Sequence, residues 1–169
     1  MSEVVDEDVT AGPPSIEASV RIVDPRWTSL APASIADVVL SAVARSDVAS
    51  GTAGTLDILL ADDPALAELN GRWRGRDGPT NVLAFPSGEA CCADGTAFLG
   101  GIALSYDTAE REAGERGIPL TDHVTHLTLH GLLHLLGFDH VDEADREAME
   151  RVEVDLLSGL GIADPYLGS

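Results

Sequence analysis

All five histidines of this chain lie between positions 123 and 140. His123, His126, His130 and His134 follow one another at spacings of 3, 4 and 4. At about 100° per residue, such spacings draw one narrow stripe along an α-helix. His130 and His134 stand one turn apart, so their rings can converge on one point. Gly137 follows and permits the left-handed backbone that ends a helix, letting the chain turn back and bring His140 to the same point. Three neutral imidazoles plus a water form the tetrahedral set of a catalytic zinc site. A chain with this stripe is therefore expected to carry a metal-bearing helix, with one zinc ion per chain held by His130, His134 and His140.

The run from His130 to His140, HGLLHLLGFDH, has the H-x-x-x-H-x-x-G-x-x-H frame of metzincin proteases. Those enzymes place a glutamate after the first histidine as the base for metal-bound water. Here that position is Gly131, so the cage is kept without the protease base. Leu129, Leu132, Leu133 and Leu136 are expected in the core around the helix. Asp139 reads either as a partner or proton carrier behind the ligands or as the cap of the turn. His126 reads either as lining the cleft or as a structural histidine. His123 is expected at the surface, and Met149 in the core.

Around this helix the chain alternates short elements. Ile16, Ala18, Val20 and Ile22 mark a strand over 16–23. Ser34 is expected to cap a helix to about Arg45, with Ile35, Val38, Val39 and Ala42 on one face. Thr55 to Leu60 reads as a second strand. Asp62 or Asp63 before Pro64 starts a helix towards Arg74, broken by 75–79. Asn81 to Phe85 reads as a strand ended by Pro86, and Phe98 to Leu104 as another, weakened by Gly100 and Gly101. Helices are expected over Asp107 to Glu115, Thr121 to Leu136 and Glu143 to Leu160. In the last, Ala144, Ala148, Val152 and Leu156 share a face. Strands come early and long helices late, which fits an α+β fold.

The 169 residues suit one domain, expected over 15–165, behind an acidic disordered tail at 1–14. No apolar run approaches the roughly 18 residues needed to cross a bilayer. The first ten residues hold four acids and no base, unlike a secretory leader, so a cytoplasmic location is expected. Cys91 and Cys92 are adjacent, which disfavours a structural disulfide and gives no C-x-x-C spacing.

With 29 acidic residues and 10 basic ones, the formal net charge is −19, which argues against a general nucleic-acid binder. All ten bases are arginines, and Arg72, Arg74 and Arg76 fall within five positions. The molecule is thus expected to carry one positive spot on a negative surface.

The stretch from His130 to His140 resembles the H-G-x-L-H-L-x-G-[YF]-D-H signature of the YbeY family of bacterial endoribonucleases. Leu69 to Pro86, LNGRWRGRDGPTNVLAFP, resembles that family's L-N-x-x-[YF]-R-x-x-[DN]-x-x-T-N-V-L-S-F-P stretch. Similarity in order and type extends from about Ile16 to Leu160. The resemblance implies a zincin-like α+β fold, with a small mixed sheet packed against helices and the metal site on a central helix. It implies single-strand-specific RNA cleavage in 16S rRNA 3′-end maturation and ribosome quality control, with a ribosome or ribosome-associated protein as partner. It places the metal ligands on His130, His134 and His140 and the functional arginine on Arg74. Two positions depart from it. Gly101 stands where the family's L-G-D-I has Asp, and Ala84 where its strand has Ser.

A phosphodiester gathers charge on its oxygens as it breaks, so it calls for a Lewis acid and a cation. Arg74 offers a fork matching two phosphate oxygens. Arg72 and Arg76 are candidates for flanking phosphates, or else solvated helix-end arginines. Two rival readings remain: a zinc metalloprotease, and a non-catalytic ribosome-assembly factor with structural zinc.

Overall fold

The computed structural model of the chain describes residues 16–49, 51–88 and 97–167. The acidic tail and the two cysteines lie outside these residues. Strand β1 (Ile16–Ile22) leads through a 3-10 turn (Pro25–Leu30) into helix α1 (Pro32–Ala44). Strand β2 (Gly54–Ala61), helix α2 (Asp63–Arg74) and strands β3 (Val82–Pro86) and β4 (Ala97–Ser105) follow. Helices α3 (Tyr106–Arg116), α4 (Leu120–Leu135) and α5 (Glu143–Gly159) close the chain. The strands form one mixed sheet in the order β1-β2-β4-β3, with β3 antiparallel to β4 and the other pairs parallel. The expected α+β architecture, a small mixed sheet packed against helices, is the one observed.

Local chemistry fixes the elements beside the site. Asp62 caps α2 by accepting from the Ala65 N–H at 3.1 Å, and Gly75 ends it at φ 62°. That stop leaves Arg72 and Arg74 in the last turn, where cations complement the helix dipole. Ser105 and Asp142 cap α3 and α5 in the same way. Helix α1 starts two residues before the expected Ser34 cap. Pro32 occupies its first turn, and Ala31 precedes it at φ 48°. Val38 is exposed rather than buried, and α1 buries Ile35, Ala36, Val39, Ala42 and Val43 instead.

One core lies between the sheet and helices α1, α4 and α5, and holds Trp27, Leu56, Leu60, Ile102, Leu104, Leu129, Leu132, Leu133 and Met149. A smaller one, with Leu66, Leu83 and Ala103, lies under α2 on the other sheet face. Helix α4 is buried almost all round, which makes it the central helix. Gly131 lets it lie close against the sheet: a Cβ there would lie 2.9 Å from Ile102 Cγ2. Gly100 sits beside a bulge in β4 at φ 135°, where a Cβ would lie 2.1 Å from the Phe85 carbonyl oxygen.

Two expectations fail here. His123 is buried in α4, 2% exposed, with Nε2 3.6 Å from Glu112 Oε2. The fully buried line of α5 is Met149, Glu153 and Leu157; of the expected face Val152 and Leu156 pack against the core, whereas Ala144 and Ala148 are exposed. A glutamate in mid-line hides that face from any apolar pattern. Among the described residues, no helix is long and apolar enough to cross a membrane.

Candidate metal centre

The site is assembled where α4 ends. The Phe138 N–H returns to Leu133 O at 3.0 Å and the Gly137 N–H to His134 O at 3.1 Å, with Gly137 at φ 103°. This reversal carries His140 back over the last turn of the helix. The His134 Nε2 atom lies 3.1 Å from that of His130 and 3.1 Å from that of His140, and the third side of the triangle is 3.4 Å. Bonds of about 2.05 Å to a tetrahedral zinc would set ligand atoms about 3.3 Å apart. The triangle therefore has the dimensions of one face of such a site.

The outer ring atoms decide which nitrogens carry protons. His134 Nδ1 donates to Phe138 O at 2.9 Å. His130 Nδ1 donates to the buried Glu153 carboxylate. Both Nε2 atoms thus present lone pairs to each other, an arrangement that a cation between them relieves. Burial, and then the nearby His130 and His140, hold the His134 imidazole below its ordinary range, which keeps it neutral and fit to ligate. The three histidines form a group that could hold a metal ion.

Glu153, on α5, is fully buried behind His130. It also accepts from the Tyr166 hydroxyl and lies 3.8 Å from His126 Nε2. Burial pushes its carboxyl up. The nearby His126, the hydrogen bonds from His130 and Tyr166 and the charge of His130 outweigh that and bring it down to about 2. Tyr166 is raised by burial and by the same carboxylate. Sequence reasoning passed over both residues. The sequence carries a signal for Glu153, a charge four residues from Met149 and from Leu157, and none for Tyr166.

The remaining candidates separate clearly. Arg74 lines the same cleft as the three histidines, a cavity of about 610 Å³, and its Nη2 donates to Ala84 O at 3.0 Å. Arg76 lines a neighbouring groove. Arg72 lines neither cavity and stands 3.6 Å from Glu68, so the structure does not bring it to the site. Asp139 borders the cleft and accepts the His140 N–H at 2.7 Å, which is its turn-capping reading. His126 is buried behind His130 and does not line the cleft, which is its structural reading. Asn81 lines the cleft too, while its Oδ1 accepts from the Val82 N–H at 2.7 Å.

Edge strand β3 forms the wall opposite α4. On its free edge the Val82 N–H is engaged by Asn81 and the Ala84 carbonyl by Arg74, and Pro86 has no N–H.

The family model described as "Endoribonuclease YbeY" matches residues 22–161. Among curated relatives, an endoribonuclease YbeY of Methylocella silvestris is 46% identical over 142 residues, covering 83% of this chain and 80% of the relative. One from Cereibacter sphaeroides is 42% identical over 167 residues, covering 90% of this chain and 99% of the relative. One from Paramagnetospirillum magneticum is 42% identical over 162 residues, covering 90% and 96%.

Proposed function

The chain belongs to the endoribonuclease YbeY family, and from that premise we propose that it is a zinc-dependent endoribonuclease of single-stranded RNA, acting in 16S rRNA 3′-end maturation and ribosome quality control. The observation that carries this reading is one cleft holding both a three-histidine triangle and an arginine. His130, His134 and His140 would hold the ion through Nε2. Bound zinc supplies Lewis-acid polarisation of a phosphoryl oxygen or a water acidified to a pKa of about 7.

The chain's own residues do the rest. Glu153 and the Phe138 carbonyl fix the tautomers and ring orientations of His130 and His134. The Ala84 carbonyl holds one guanidinium nitrogen of Arg74, which orients the fork while its other N–H groups remain for phosphate oxygens. Val82, Ala84, Leu135 and Phe138 form the apolar part of the cleft wall beside these groups.

A peptidase reading lacks two supports. Gly131 supplies no base, and a Cβ at that position would lie 2.9 Å from Ile102 Cγ2. On edge strand β3, where a peptide would add as a strand, the Val82 N–H and the Ala84 carbonyl are already taken and Pro86 has no N–H. The structural-zinc reading needs a fourth protein ligand, and among the described residues the group contains three.

The test is cleavage of single-stranded RNA, double-stranded RNA and casein by the zinc-loaded chain. Only the single-stranded RNA should be cut. Because attraction on a −19 molecule is local, two to four phosphates should be neutralised, giving a log–log salt slope of roughly −1.5 to −3. Cut casein and intact RNA would overturn the reading.

A further inference from the structure

A second groove of about 830 Å³ adjoins the metal cleft, and Arg74 and Ala84 line both. Its other walls include Trp73, Phe85, Phe98 and Arg76, with Gly101 among them. Trp73 is 65% exposed, although it is the largest apolar side chain of α2. Phe85 supports the indole at 6.1 Å between centroids and an angle of 61°. Among the described residues Arg76 makes no ion pair. Gly101 leaves space, since a Cβ there would meet only Asp57 O at 3.8 Å.

An exposed aromatic plate sharing one groove with two arginines, on an otherwise acidic molecule, matches one chemical unit: a flat nucleobase flanked by phosphates. A duplex keeps its bases stacked on one another and cannot offer such a unit. We infer that this groove is a base-stacking subsite for single-stranded RNA: Trp73 carries one base and Arg76 an adjoining phosphate, while Arg74 serves the neighbouring phosphate at the metal cleft. The inference rests on the ribonuclease reading above and adds where the strand lies next to the cut.

The test is equilibrium binding of two labelled strands of equal length to the full chain, one bearing bases and one fully abasic. The wild type should prefer the base-bearing strand by about 5- to 150-fold, equivalent to about 1–3 kcal/mol for a stacked base. Trp73→Ala should lose that preference, Trp73→Phe should keep most of it, and Val38→Ala on α1 should match the wild type. Binding should also quench tryptophan emission. Trp27 is buried with its N–H on Ala61 O, so the quenching reports Trp73. A Trp73→Ala chain that keeps the full preference overturns the subsite alone, as does equal wild-type binding of both strands. A wild type that binds neither strand and cleaves no RNA overturns the ribonuclease reading, and the subsite with it.

Discussion

Removing the Glu153 carboxylate should unsettle the fold and the metal centre together. The group is fully buried and held at about 2 instead of its ordinary 4.5. At about 1.4 kcal/mol per tenfold change in proton affinity, that displacement is worth about 3 kcal/mol of stability. A depressed carboxyl gives its full contribution above pH 4.5 and loses it as pH falls towards 2. Metal-free wild type should therefore lose about 3 kcal/mol more unfolding free energy across that window than metal-free Glu153→Gln, read from urea titrations at successive pH values. At neutral pH, Glu153→Ala strips an acceptor from both His130 and Tyr166 and should cost about 3–5 kcal/mol. With the His130 tautomer no longer fixed, zinc affinity measured against a competing chelator should fall by about 10- to 100-fold. Glu153→Gln keeps the volume and a carbonyl for His130, so its loss of affinity should be smaller. Wild-type stability and zinc affinity in Glu153→Ala would refute this account of the carboxylate.

Arg74→Ala should keep fold and metal yet lose about 10²-fold or more in RNA cleavage, with Arg74→Lys recovering little; unaltered single-turnover rates would remove Arg74 from the mechanism. Gly131→Ala should cost about 1–3 kcal/mol through its contact with Ile102, and the Gly131→Ala/Ile102→Ala double variant should cost less than the sum of the singles; strict additivity in urea denaturation would contradict that close packing. Gly100→Ala should cost about 3 kcal/mol or more, because it meets the Phe85 carbonyl in a strained backbone, whereas Gly101→Ala should stay within about 0.5 kcal/mol; equal melting shifts would refute the assignment.

The His130–His140 frame was readable because helix geometry alone converges two of its rings, and Gly137 accounts for the third. Helix α2 was equally plain, since Asp62, Pro64 and Gly75 write its start and stop in local chemistry. What escaped depends on packing between distant segments. His123 looked like a surface residue, but α4 is enclosed by its neighbours along that stretch and buries it. Glu153 went unmarked, because its partners come from α4 and from a residue beyond α5. The three arginines were indistinguishable by spacing. Only the position of the α2 terminus against β3 sets Arg74 on the cleft, Arg76 on the adjoining groove and Arg72 outside both. The 3-10 turn over Pro25–Leu30 follows from Asp24 accepting the Arg26 N–H and from Trp27 reaching Ala61, contacts that no periodicity announces.

The central claim is that one zinc ion on His130, His134 and His140 supports cleavage of single-stranded RNA. The most direct measurement combines metal analysis of the purified chain with RNA cleavage before chelation, after chelation and after zinc is restored. The account predicts about one zinc per chain, loss of cleavage with loss of metal, recovery on adding zinc, and neither metal nor cleavage in the three histidine-to-alanine variants. Undiminished cleavage by a chain shown to be free of metal would contradict it.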